Sequence, residues 1–493
     1  GQYVGHSKEA INTTIVGDLA GQYTTGSSNT FIGYVAGKGG TTSAPYSSGQ
    51  YNVAVGAYAF DGLTTAGETT AIGYNAGGSI TTGIRNVTVG AFSGDSLTTG
   101  TRNVAIGVHT LGSATTANLN VAIGQGAMES AAASVAFEGA IAIGKDALTA
   151  LNSTDANGTI AIGYFAGKAI TSGQYNLAIG KNALAAQTTG DANIAIGENA
   201  LLDLNHVNGS YNIAIGYNAG KSMGANNVYS NILIGRQAGM NINHADGSNT
   251  IAIGTNAGID ITSGKNSVLI GTEAGTNITT GDYNTAIGYQ AMHGDDSTAT
   301  TSTGNTAVGY EAGKYITTGA YNTILGYQAG DAASIGNYHV LLGAFAGSTI
   351  NSGDADGTTA IGYNAGSILT SGIGSVAIGY EALKTATDND YNTAVGSRAL
   401  YSISGSSGLE GEANTAVGRY AGYSTTTGGW NTFIGSAAGY ANTTGIYNNF
   451  IGAGAGQNST TANQSIYIGW YAAYYQQVGG NNVAIGHQTL YGA

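Results

Sequence analysis

A chain of 493 residues with 83 glycines, one proline and no cysteine has neither disulfides nor a cysteine-held metal to stabilise it. Charged residues are only 8% and the net charge is −13, so ion-pair networks are excluded as the main support. Nucleic acid and anionic membranes are disfavoured as partners, since both need a basic face.

The chain opens at Gly1 part-way into a repeat, and no apolar run approaches a membrane span, so any export signal or anchor is expected outside this sequence. From Gly17 onward one phrase recurs, of which Asn284-Thr285-Ala286-Ile287-Gly288-Tyr289-Gln290-Ala291 is representative. The glycine closing each phrase serves as a marker. There are 27 markers between Gly17 and Gly486; of the 26 spacings sixteen are 17 residues and five are 19. A fixed period of this size indicates a solenoid or an array. No linker, charge block or change of composition divides the chain, which predicts one continuous repeat domain over residues 1–493.

Within a unit the columns follow in order. Asn stands four residues before the marker in 17 of 27 units, Asn103, Asn176, Asn284, Asn392 and Asn482 among them. Stacked coils would align these amides into a structural ladder. The residue before the marker is always Ile, Val or Leu, and the residue three before it is mostly Val, Ile, Leu or Thr, with Ala usually between them. Alternation along a strand puts the two larger residues on one face and the alanine on the other. The expectation is an aliphatic face buried by stacking, and a flat alanine face against which another copy can pack.

Tyrosine follows the marker at Tyr74, Tyr164, Tyr217, Tyr289, Tyr310, Tyr327, Tyr363 and Tyr380, and precedes the Asn at Tyr51, Tyr175, Tyr211, Tyr283, Tyr321, Tyr391 and Tyr447. Stacked rings would cover the corners of the coil, and the exposed ones are candidate surface-recognition residues. Seven residues after the marker comes Ile or Leu (Ile80, Leu97, Ile170), then Thr-Thr-Gly or Thr-Ser-Gly. That pattern predicts a second short strand closed by a glycine turn. Extra residues collect before the next Asn, as in Asn243-His244-Ala245-Asp246-Gly247 and Asp354-Ala355-Asp356-Gly357, and should bulge along one edge where recognition loops are usual. Two strands and two turns per period give an all-β fold: a single elongated parallel β-solenoid of about 27 coils, a rod roughly 130 Å long at ~4.8 Å per coil.

Signals for chemistry are sparse. The histidines are His6, His109, His206, His244, His293, His339 and His487; only His206 and His244 share a column, two coils and so about 10 Å apart, too far for one metal. Asp354 with Asp356, Asp295 with Asp296, and Asp388 with Asp390 offer oxygen ligands for calcium but match no calcium-loop pattern, so polar turns are the simpler reading and no cofactor is expected. The acidic residues follow no column, which argues against the paired carboxylates of a glycan depolymerase. Neighbouring threonines in Thr-Thr-Gly point to opposite faces, which argues against an ice-binding array.

The phrases NTAIGYQA, NTFIGSAAGYANTTGIYNNFIGAGAG and NVAIGHQTL resemble the Gly-Tyr-Ala repeats of phage tail-fibre proteins and related bacterial surface proteins. SVAIG, from Ser375 to Gly379, is similar to the head repeat of trimeric autotransporter adhesins. The resemblance spans nearly the whole chain. It implies an extracellular fibre, on a virion or a cell surface, that binds a cell-surface glycan or protein receptor and associates with itself as a homotrimer. Unpaired coil edges at the ends suggest an alternative, a surface filament stacked end to end. No enzymatic activity is expected.

Overall fold

The computed structural model describes residues 11–492 apart from 42, 44–45, 132–135, 154–156, 207, 225–227, 244–247, 296–299, 353–355 and 405–409. Residues 1–249 and 250–493 form two compact units. In the first, three-residue strands run from β1 (Thr14–Val16) to β13 (Ile232–Ile234); in the second they run from β14 (Ile251–Ile253) to β27 (Val483–Ile485). Within each unit every strand pairs in parallel with the strands one repeat before and after it, without register shift: Ala178 lies opposite Ala161 and Ala195. The fold is therefore an all-β parallel β-solenoid on a 17-residue base period, and no described residue is helical.

The marker glycines pin the coil where the strand turns. Their φ angles lie between +124° and +140°, and a Cβ on one would strike the carbonyl of the next marker, as Gly73 would strike the Gly90 oxygen at 2.6 Å. Only glycine permits both that conformation and that approach.

The structure reverses the expected faces of the strand. From β2 (Thr30–Ile32) onward the middle residue of every strand is buried, while its two neighbours are half-buried or exposed. Ala105, Ala178 and Ala286 are fully inside, whereas Ile72 and Ile106 remain 39% and 38% accessible. A coil one strand wide has a narrow lumen, and its other walls already supply Ile80, Leu97 or Ile170 to the core. One side chain per strand fits, and it is the middle one whether small, as Ala178, or large, as Phe31. The alanine column consequently cannot serve as a lateral contact between copies.

The lumen is filled by exchange of volume between two positions. Where the inward strand residue is large (Phe31, Leu233, Phe433, Phe450), the residue four after the marker is glycine (Gly37, Gly239, Gly439, Gly456), and a Cβ there would overlap the ring or the leucine methyls. Where that residue is large (Leu111, Leu148, Leu184, Leu201), the inward strand residue is Ala105, Ala142, Ala178 or Ala195. The pair behaves as one jigsaw piece at interior packing density.

The second strand does not form. Among the described residues this side of the coil shows only isolated bridges, such as Ile278 with Thr300. The Thr81, Thr82 and Gly83 N–H groups converge on the single carbonyl of Thr98 at 2.9, 3.3 and 3.3 Å. Three donors curled around one acceptor cannot alternate along a ladder, so the segment is a bend that plants Ile80 in the core.

Candidate functional site

The fold builds a set of columns, and their chemistry separates buried members from exposed ones.

The amide column is internal. Asn103, Asn176, Asn284 and Asn392 are fully buried, and Asn482 is half-buried. Asn103 donates Nδ2–H to the turn carbonyl of Ala117 at 2.7 Å, while its Oδ1 accepts the backbone N–H of Asn120 at 3.1 Å. Asn176 does the same with Gly190 and Asn193, Asn284 with Ser302 and Asn305, and Asn392 with Gly411 and Asn414. Each amide thus ties the N–H of the next residue in the column, just ahead of its strand, to a turn carbonyl. The Asn482 N–H meets Ser465 Oγ at 3.3 Å. Asn103→Ala would orphan buried partners at both ends, so a loss of about 2 kcal/mol is expected by urea unfolding, and about half that for Asn103→Ser. An unchanged midpoint for Asn103→Ala would remove the column from the stabilising set.

A hydroxyl column runs beside it. At many of the Thr-Thr-Gly and Thr-Ser-Gly turns the first threonine donates to the carbonyl one repeat on: Thr81 to Thr98, Thr262 to Thr279, Thr426 to Thr443. These hydroxyls are engaged within the protein rather than presented as an outward array.

The tyrosines after the marker lie on the surface, 41–51% exposed at Tyr74, Tyr164, Tyr217, Tyr289, Tyr310, Tyr327, Tyr363 and Tyr380. In the second unit Tyr289, Tyr310 and Tyr327 stack at 5.2 and 5.1 Å, Phe345 joins edge-on, and Tyr363 and Tyr380 continue at 5.5 Å, giving an unbroken aromatic row over six coils. The Arg398 guanidinium closes the row over Tyr380 at 5.5 Å. In the first unit Tyr34, Tyr58, Tyr74, Phe92 and His109 form a shorter row. Burial against neighbouring rings, then the Glu311 carboxylate, pushes the Tyr310 phenol above its ordinary range, so this rung is a neutral hydrogen-bond donor at neutral pH. Tyr164 pairs with Phe165 in its own coil. The column before the Asn is more exposed, 64% at Tyr51 and 66% at Tyr175, and Tyr321 stacks there on Tyr338.

Tyr58, Phe92, His109 and Phe345 were missed as row members because they stand two residues after the marker. Their positive φ, +54° to +59°, swings them back into line with the first column. The available signal was an aromatic displaced by one place in a coil lacking tyrosine at the first.

Beside the start of the longer row lies a polar cleft of about 420 Å³ lined by Asn256, Glu273, Gln290, His293, Lys314 and Tyr315, among others. Glu273 accepts Gln290 Nε2–H at 2.7 Å and has His293 Nε2 at 4.0 Å. Next to it both oxygens of Glu311 are taken, by Lys314 at 2.8 Å and Gln328 at 2.6 Å, which together hold its carboxyl below the usual range. Burial pushes the Asp331 carboxyl up, and the Glu311 carboxylate adds weakly to it.

Among the described residues no group of three or more His, Asp or Glu could hold a metal ion. His6, His244, Asp246, Asp296 and Asp354 lie outside the described residues. Of the other acidic candidates, Asp356 accepts the N–H of Asn337, Asp388 the hydroxyl of Thr370, and Asp390 the N–H of Ile373. No helix among the described residues is long and apolar enough to cross a membrane. No protein family matches the chain, and no curated protein matches it.

Proposed function

We propose that the chain is a non-enzymatic extracellular structural shaft, of the tail-fibre or adhesin kind, whose tyrosine rows bind a cell-surface glycan or protein receptor. The observation that carries the reading is the six-coil aromatic row from Tyr289 to Tyr380: flat, repeated and outward, on a scaffold whose every rung is hydrogen-bonded to the next. Rings held by stacking lose little entropy on contact, and tyrosine couples an apolar face to a hydroxyl. The low charge and acidic balance support binding through stacking and hydrogen bonds rather than through charge. Repetition adds avidity to weak single contacts.

The test is binding of the labelled full chain to arrayed bacterial surface polysaccharides and to intact cells. Replacement of Tyr289, Tyr310 and Tyr327 by serine is expected to reduce binding at least tenfold without changing the far-ultraviolet circular dichroism. Full binding by that variant would exclude the row as the recognition surface.

A further inference from the structure

Beyond Tyr380 a second aromatic row begins, five residues after the marker, over the coils from β21 (Val376–Ile378) to β24 (Thr432–Ile434). Tyr401, Tyr423 and Tyr440 stack there at 5.1 Å, and Tyr420 stands edge-on to Tyr423 and Tyr440 at 5.5 and 6.1 Å. Burial first, then the phenols of Tyr401 and Tyr440, pushes the Tyr423 hydroxyl above its ordinary range, so it is a neutral donor. Into this patch the chain puts three of its 14 lysines and arginines. Lys384 lies over Tyr401, Arg398 over Tyr380 and Tyr401, and Arg419 over Tyr420 at 4.6 Å.

One carboxylate faces these three cations. Glu381 is buried and both its oxygens are spent, accepting from Lys384 Nζ at 2.6 Å and from Arg398 Nε at 2.7 Å. Arg398 Nη1 donates to the Tyr420 phenol at a long 3.5 Å, and the exposed Arg419 engages the same phenol. The two guanidinium groups, Arg419 foremost, hold that phenol below its ordinary range. Asp388 and Asp390 of the same coils are engaged elsewhere, with the Thr370 hydroxyl and the Ile373 N–H, and Glu412 stands beside Asp390. Two guanidinium groups thus meet on one neutral oxygen, with more positive charge and more N–H donors than a phenol can accept.

We infer that Arg398 and Arg419 form a subsite for the carboxylate of an acidic sugar, whose hydroxyls meet the phenols of Tyr401, Tyr423 and Tyr440. A planar carboxylate matches the guanidinium fork. A row of phenols suits a polyhydroxy chain better than it suits the backbone and apolar side chains of a peptide. The net charge of −13 does not oppose this, because at physiological ionic strength exposed charges beyond about 8 Å are largely screened and the patch itself is positive. Charge therefore acts at one place on a surface that otherwise offers stacking and hydrogen bonds. The inference rests on the glycan reading above and adds the class of sugar selected, a uronic-acid polymer over a neutral one.

Calorimetric titration of the full chain at low ionic strength tests this with three probes: oligogalacturonate, the same oligosaccharide with its carboxyl groups reduced to alcohols, and polyglutamate. Oligogalacturonate is expected to bind about tenfold more tightly, or better, than either of the others. Arg419→Gln removes an exposed side chain that holds no ion pair among the described residues, so the fold should keep its far-ultraviolet circular dichroism. That variant is expected to bind oligogalacturonate about tenfold more weakly, and Arg419→Lys, which keeps the charge but not the fork, to recover only part of the loss. A wild type that does not bind oligogalacturonate, or that binds the reduced sugar or polyglutamate equally well, overturns the inference. So does an Arg419→Gln variant that binds as the wild type does. The first aromatic row is judged separately: if serine at Tyr289, Tyr310 and Tyr327 leaves Arg419-dependent binding intact, the row reading falls and the subsite stands. If binding needs those tyrosines but not Arg419, the row stands and the subsite falls.

Discussion

Gly180→Ala is expected to lower the stability of the first unit by about 4 kcal/mol, the sum of a backbone strain of 1–3 kcal/mol and an overpacking cost of similar size. Gly180 has a φ of +127°, and a Cβ would sit 2.6 Å from the oxygen and 2.7 Å from the carbonyl carbon of Gly197. Neither neighbour can retreat. The Gly180 N–H donates to Ile162 at 2.8 Å and the Gly197 N–H donates to Ile179 at 2.7 Å, so a shift that relieves the clash breaks the ladder. Gly139 supplies the control, since its φ is +71° but nothing lies within 4 Å of a Cβ there. Gly139→Ala should cost only the left-handed backbone penalty, about 1 kcal/mol. Urea unfolding of both variants decides the matter. If they melt together, close approach along the marker column is not what demands glycine.

Acid should destabilise the second unit through His339. This residue replaces asparagine in the amide column: its backbone N–H donates to Asn322 Oδ1 at 2.8 Å, but its ring is fully buried and neither ring nitrogen makes a well-formed hydrogen bond. Burial pulls its pKa down from 6.5 to about 4, against weaker pulls upward from Asp356 and the backbone of Thr358. A depressed pKa means that the folded state holds the neutral ring while the unfolded chain takes up a proton. The stability is therefore fully present above pH 6.5, falls as the pH drops from 6.5 towards 4, and levels off below that. The loss is roughly 3 kcal/mol at about 1.4 kcal/mol per pH unit. His339→Asn restores a side chain that can bridge strand and turn, and should abolish this component while leaving the carboxylate titrations in place. The check is the difference in unfolding free energy between wild type and His339→Asn at pH 7 and pH 4.5. An equal difference at both values would mean that the ring already has access to water.

The tyrosine rows and the amide column were legible because each repeats one residue type at one place, and identical coils convert a sequence column into a spatial one. His339 shows the limit. As one of seven histidines it carried no sign of burial, since only its position in the amide column, four residues before Gly343, placed it inside. The second strand around Ile80 misled because Ile-Thr-Thr-Gly has the β-branched content of a strand while its N–H groups gather on one carbonyl.

By itself the sequence determined the period, the all-β class and the parallel stacking, because a 17-residue repeat rich in glycine and β-branched residues admits little else. Which side of the strand is inside was decided only by the tertiary structure. Hydrophobic pattern ranks isoleucine above alanine for burial, yet the closed coil admits one side chain per strand, the middle one, and shares its space with the residue four after the marker, so Ala178 and Leu184 went in together and Leu177 and Ile179 stayed out. Volume in a narrow lumen is a property of the closed coil, and no window of sequence contains it.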